Sequence, residues 1–122
     1  MGNILIIEDD SLIAKIYTTR LSADGYMVEW CSNGREALEK IITFKPQLIL
    51  LDVMMPEMNG FDLLKEVRSR EEFSKIPILM YSSLSGEAEI AKARALGATE
   101  YLNKTLLTPT EVVNTIKKYL PQ

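Results

Sequence analysis

The sequence predicts an α/β fold, a five-stranded parallel sheet in the order 2-1-3-4-5 with helices on both faces. Three observations carry this expectation. Strand-like and helix-like segments alternate five times along the 122 residues, the pattern of a parallel sheet joined by crossover helices. The first, third and fourth strand-like segments are nearly continuous apolar runs, as strands covered on both faces must be. The second and fifth carry Glu29 and Thr99, Glu100 and Asn103, which places them at the edges. Right-handed crossovers then give the order 2-1-3-4-5.

Each element has its own signal. The run Asn3–Ile7 predicts strand 1. Helix 1 follows over Ser11–Asp24, with Leu12, Ile13, Ile16, Tyr17 and Leu21 as its apolar face and Asp24-Gly25 as its stop. Met27–Cys31 predicts strand 2. Ser32 or Asn33 caps helix 2, Gly34–Phe44, whose inner face is Ala37, Leu38, Ile41 and Ile42. Lys45-Pro46 breaks that helix, and Leu48–Leu51 is strand 3. A loop over Asp52–Asn59 carries Pro56 and leads through the turn pair Asn59-Gly60 into helix 3, Phe61–Arg70. Strand 4 spans Ile76–Tyr81, helix 4 spans Gly86–Leu96, and Gly97 ends it. Strand 5 spans Thr99–Asn103. Thr108 as N-cap and Pro109 at the first helical position open helix 5, which runs to Leu120.

Composition narrows the function. A length of 122 residues is one domain, 1–122. With 47% hydrophobic and 25% charged residues the chain reads as globular and soluble, and no apolar run has membrane-spanning length. A net charge of −3 argues against nucleic-acid binding, which demands a basic footprint. Cys31 is alone, so no internal disulfide forms and a cytoplasmic setting fits. The absence of histidine removes the commonest soft-metal ligand and acid–base group.

Polar residues stand where the strands end: Glu8, Asp9 and Asp10 after strand 1, Asp52 after strand 3, Ser82 and Ser83 after strand 4, and Lys104 after strand 5. In open α/β sheets ligands bind outside the carboxyl ends of the strands. Glu8, Asp9 and Asp52 are hard oxygen donors and suit Mg²⁺ or a similar cation. Asp10 reads as the cap of helix 1. Asp52 is either a loop cap or a carboxylate nucleophile, activated for phosphoryl transfer when a cation and the Lys104 ammonium neutralise the incoming group. Ser82 can give its hydroxyl to a phosphoryl oxygen, and Ser83 is small enough to leave space.

Four blocks carry a resemblance. They are Ile4–Asp9, the stretch Asp52-Val53-Met54-Met55-Pro56-Glu57-Met58-Asn59-Gly60, the pair Ser82-Ser83, and Gly97–Lys104. Together they resemble the receiver domain of bacterial response regulators, over nearly the whole chain. The resemblance implies a flavodoxin-like fold and a signalling module rather than an enzyme with an outside substrate. It implies phosphorylation of Asp52 by a histidine kinase or a phosphotransfer protein. It also implies Mg²⁺ held by Glu8, Asp9, Asp52 and the backbone carbonyl of Met54, with Glu8 acting largely through water. Ser82 and Lys104 would grip the phosphoryl group, and Tyr101 would be the switch aromatic that follows Ser82. Met54 and Leu84 would flank the path of hydrolytic water.

Thr105 departs from the family's usual Lys-Pro, where the bond is cis, so cis and trans are both open at Lys104–Thr105. Helix 5 is followed only by the last residues up to Gln122, which fits a stand-alone receiver or a piece of a longer protein. Alanine-rich helix 4 is expected to be held loosely, or else to pack closely against the sheet. Met54, Met55 and Met58 suggest an adaptable contact surface. Asp-nucleophile phosphatases would carry a second acid two residues after Asp52, where Met54 stands, and the glycine-rich nucleotide motifs are missing. A downstream protein partner is expected, with no nucleic acid or membrane contacted directly.

Overall fold

The computed structural model describes residues 2–55, 58–84 and 86–121. Its strands are β1 (Asn3–Ile7), β2 (Met27–Cys31), β3 (Leu48–Asp52), β4 (Ile78–Ser82) and β5 (Glu100–Asn103). Its helices are α1 (Ser11–Ala23), α2 (Gly34–Phe44), α3 (Gly60–Arg68), α4 (Glu87–Ala95) and α5 (Pro109–Tyr119), with a 3-10 turn at Glu71–Phe73. The sheet is parallel throughout, in the order β2-β1-β3-β4-β5. The central strands β3 and β4 are buried along their whole length, whereas β2 and β5 are partly exposed, as their Glu29 and Glu100 require.

Side chains alternate across each strand and so divide into two cores. Leu5, Ile7, Ile49, Leu51, Ile78 and Met80 meet α2 and α3 through Ile41, Leu63, Leu64 and Val67. Ile4, Ile6, Leu48, Leu50, Leu79 and Tyr81 meet α1 and α5 through Tyr17, Leu21, Val112, Val113 and Ile116.

The caps behave as their residue types demand. The Asp10 side chain accepts from the amides of Leu12 and Ile13, so Asp10 caps α1. Asn33, not Ser32, caps α2 through the amide of Glu36. Thr108 and Glu111 form a reciprocal capping box on α5. Lys45 takes the left-handed conformation that ends α2, with φ 53°.

Several expectations are corrected. Leu12 and Ile16 do not face the core; they are 69% and 39% exposed, and α1 buries Ala14, Tyr17 and Leu21 instead. Ile42 of α2 is likewise exposed. Asn59-Gly60 is not a free turn, because Asn59 caps α3 and Gly60 is its first residue. That helix ends at Arg68, two residues early, where the Arg70 amide turns back to the Val67 carbonyl, and the Arg68 guanidinium reaches out to the carbonyls of Gly97 and Phe73, each at 2.9 Å. β4 starts at Ile78 rather than Ile76, after Pro77, which has no amide to donate. Thr99 lies outside β5 and caps the ladder with its side chain, accepting from the amide of Ile78 at 2.9 Å. Pro56 and Glu57 lie outside the described residues.

Candidate functional site

The β1, β3 and β5 ends bring Glu8, Asp52 and Lys104 together, although they are far apart in sequence. Register does this: Ile7 pairs with Leu51, one residue before Asp52, and Ser82 pairs with Asn103, one residue before Lys104. Glu8 and Asp52 are almost fully buried, at 2% and 4% exposure, while Asp9 faces solvent. Oxygens of Glu8, Asp9 and Asp52 lie within 4.8 Å of one another. A buried pair of carboxylates beside an exposed one fits a hard cation that enters from solvent, and the donors are all oxygen.

The Lys104 ammonium lies 2.8 Å from Glu8 Oε1 and 3.3 Å from Asp52 Oδ2. The other Asp52 oxygen, Oδ1, accepts from the amide of Met54 at 3.1 Å. The other Glu8 oxygen accepts from the amide of Asp10 at 3.1 Å. Lys104 therefore contacts both carboxylates, and its contact with Glu8 is the shorter. The Lys104–Thr105 bond is trans.

Two buried carboxylates beside one ammonium repel each other, which makes ionising both of them costly. Burial lifts Glu8 from its ordinary 4.5 to about 7, helped by its hydrogen bond to Asp52 and opposed by Lys104. Burial raises Asp52 too, against the lowering effects of its Glu8 and Lys104 neighbours. Desolvation works against the charge on Lys104, but Glu8 and Asp52 outweigh it and leave its pKa above the ordinary value.

This has a measurable sign. Both acids bind protons more tightly folded than unfolded, so their contribution is complete below the ordinary carboxylate range and is lost as pH rises, in the case of Glu8 through about 7. Metal-free protein is expected to be most stable near pH 5 and to lose on the order of 2 kcal/mol by pH 8. Millimolar Mg²⁺ should restore much of that loss at pH 8 and little at pH 5, because a cation competes with the proton. Melting curves across that range check it; a metal-free melting point that rises from pH 5 to 8 refutes it.

The Ser82 side chain is fully buried, and its Oγ accepts from the amide of Leu84 at 3.1 Å, which leaves the hydroxyl proton to donate. Ser83 is exposed. Tyr101 packs against the α2–α3 core, and its hydroxyl donates to the carbonyl of Leu84 instead of standing in water. Of the three methionines, Met54 is 52% exposed, while Met55 and Met58 pack against the core. Val53, Met54, Met55, Asn59, Phe61, Leu84 and Lys92 line an open groove of about 550 Å³ beside Asp52.

Three aromatic residues at the site escaped the sequence reading. Trp30 donates its indole N–H to the Glu8 carbonyl at 2.7 Å. Tyr81 lies under Lys104, with the ammonium 5.0 Å from its ring centroid. Tyr17 meets Tyr81, hydroxyl to hydroxyl at 3.0 Å. A tyrosine directly before Ser82 on a buried strand was the one available signal.

Fold and site define a class. The chain belongs to the response regulator receiver domain family, whose family model matches residues 4–117. It is 30% identical over 118 residues to the polar-differentiation response regulator DivK of Brucella anthropi, covering 97% of this chain and 95% of that one. It is 37% identical over 118 residues to a probable transcriptional regulator, ycf27, of Cyanidium caldarium. The chain spans about half the length of most of the curated relatives it matches, 46% in that case. Among solved structures, the chemotaxis protein CheY4 of Vibrio cholerae superposes with a TM-score of 0.92 at 32% identity, covering 98% of this chain and 99% of that one. The receiver fold is shared, and members of the family act as phosphoacceptor switches in two-component signalling. Among the described residues no helix is long and apolar enough to cross a membrane.

Proposed function

We propose that Asp52 accepts a phosphoryl group from a histidine kinase or phosphotransfer protein, with Mg²⁺ at the site, and that the change reaches partners through α4, β5 and α5. The observation that carries this is the Asp52 carboxylate itself. It is buried at a strand end, oriented by the Met54 amide on one oxygen and faced by Lys104 on the other. An Asp52 oxygen forms the new bond to phosphorus as the donor's bond to phosphorus breaks, and the donor keeps that electron pair. Glu8, Asp9, Asp52 and the Met54 carbonyl would hold Mg²⁺, which supplies positive charge to the phosphoryl oxygens. Lys104 and the Ser82 hydroxyl take the remaining oxygens.

The α4 helix supports the proposed output face. Ala93 is its only buried residue, Ala88, Ala91 and Ala95 are exposed, and no side chain caps it at Gly86. A helix held so lightly moves at low cost. A cytoplasmic setting, where such kinase partners can reach the exposed cleft, completes the reading. The test is incubation with acetyl phosphate and Mg²⁺, followed by intact mass. One added phosphoryl group per chain, removed by hydroxylamine, supports an acyl phosphate on Asp52; no gain of mass defeats the proposal.

Loss of the phosphoryl group should be slow. Met54 and Leu84 both stand at the groove beside Asp52, half-exposed and apolar, so they cover the approach of water without orienting it. Met54→Asn, Leu84→Glu and the double variant are expected to lose phosphate faster, by roughly tenfold for the pair. Unchanged decay in all three removes the gate.

A further inference from the structure

Lys104 is a long side chain in the turn just after the edge strand β5, and its position decides which oxygens it can neutralise. The two carboxylates account for two sides of its ammonium, at 2.8 and 3.3 Å. The face of Tyr81 accounts for a third, with the ring centroid 5.0 Å away. The ring cannot turn aside. Tyr81 is 7% exposed, and it meets Tyr17 edge to face, with centroids 5.6 Å apart and planes at 85°. The two hydroxyls lie 3.0 Å apart, and Tyr17 is itself buried against Leu21, Val112 and Ile116.

Tyr81 also sits in register with Asp52 on β3 and Leu102 on β5, so the strand that carries Ser82 on one face carries this ring on the other. Attraction between a cation and an aromatic face is diffuse, unlike a hydrogen bond aimed at one lone pair. A cation resting on such a face can slide between neighbouring oxygens without losing the contact.

We propose that Tyr81 is a positioning residue for Lys104, its ring face holding the ammonium at the mouth of the cleft, with Tyr17 as the brace that fixes the ring. The rate consequence rests on the phosphoryl-transfer reading of Asp52; the placement of Lys104 does not. When Asp52 becomes an acyl phosphate, Lys104 leaves a carboxylate oxygen for a phosphoryl oxygen and keeps its contact with the ring throughout. The hydroxyl of Tyr81 takes no part in that step, so the ring alone should suffice.

The test uses the full chain with Tyr81→Phe, which keeps the face, and Tyr81→Leu, which removes it. In the unphosphorylated protein the ε-methylene NMR signals of Lys104, assigned by their loss in Lys104→Arg, should be shifted upfield by the ring. The shift should persist in Tyr81→Phe and vanish in Tyr81→Leu. Phosphate uptake from acetyl phosphate at saturating Mg²⁺ should slow roughly three- to thirtyfold in Tyr81→Leu and recover to within about twofold in Tyr81→Phe. Equal slowing in both variants, or a Lys104 signal without upfield shift in the parent protein, overturns the proposal. If Tyr81→Leu does not fold, the parent and Tyr81→Phe shifts decide it. A parent protein that takes up no phosphate defeats the reading of Asp52, while the Lys104 shift still decides the placement.

Discussion

Asp52→Asn is expected to take up no measurable phosphate while keeping the fold. The side chain is nearly isosteric, and its oxygen can still accept from the Met54 amide that now holds Asp52 Oδ1. What disappears is the nucleophilic oxygen facing Lys104. Glu8 is then relieved of a neighbouring carboxylate and can ionise against Lys104, so stability should stay within about 1 kcal/mol of the parent. Intact mass after acetyl phosphate treatment reads the first effect and thermal melting the second. Uptake at a comparable rate would show that another residue is the acceptor.

Gly60→Ala should be the most damaging small substitution near the site. A Cβ on Gly60 would stand 2.4 Å from the Asp52 carbonyl oxygen and 2.8 Å from the Val53 Cα, both backbone atoms. The Gly60 amide meanwhile donates to the Val53 carbonyl at 2.8 Å, so the loop is drawn in where the methyl group must go. Relief requires moving the Asp52–Val53 peptide or the start of α3. Overpacking of this kind costs typically about 1–3 kcal/mol, a fall in melting temperature of roughly 4–10 °C for a domain of this size. The same displacement shifts the Met54 amide off Asp52, so phosphate uptake should fall by about tenfold or more. Melting and uptake measured together check this; a variant that matches the parent in both refutes it.

The strand ends were the most legible part of the molecule. A buried parallel strand must be apolar until it leaves the sheet, so the first polar residue after Ile7, Leu51 and Tyr81 marks its mouth. Glu8, Asp52 and Ser82 are those residues, and all three are buried at the cleft side of the sheet. Helix faces were less legible. In α1 the stripe Leu12–Ile16 is as apolar as the stripe Ile13–Tyr17, and only the docking of α1 against β2 and α5 selects the second. Arg68 was invisible as a clamp because its acceptors are backbone carbonyls, which every residue has. The Tyr17–Tyr81 contact joins residues 64 apart and leaves no local pattern in the chain. The raised proton affinity of Glu8 also depends on burial that residue order alone does not state.

The hydrogen bond from Trp30 to the Glu8 carbonyl reaches further than its place on an edge strand suggests. It is the sole tryptophan in the chain. Its indole is 39% exposed, so solvent quenchers reach one side of it while the other is bonded to the backbone of a cleft carboxylate. The molecule thus carries a native fluorophore wired to the site where a cation and a phosphoryl group would compete with a proton. A cation or phosphoryl group entering the cleft is expected to change that emission, which a titration of unlabelled protein with every residue of the cleft left as it is would read.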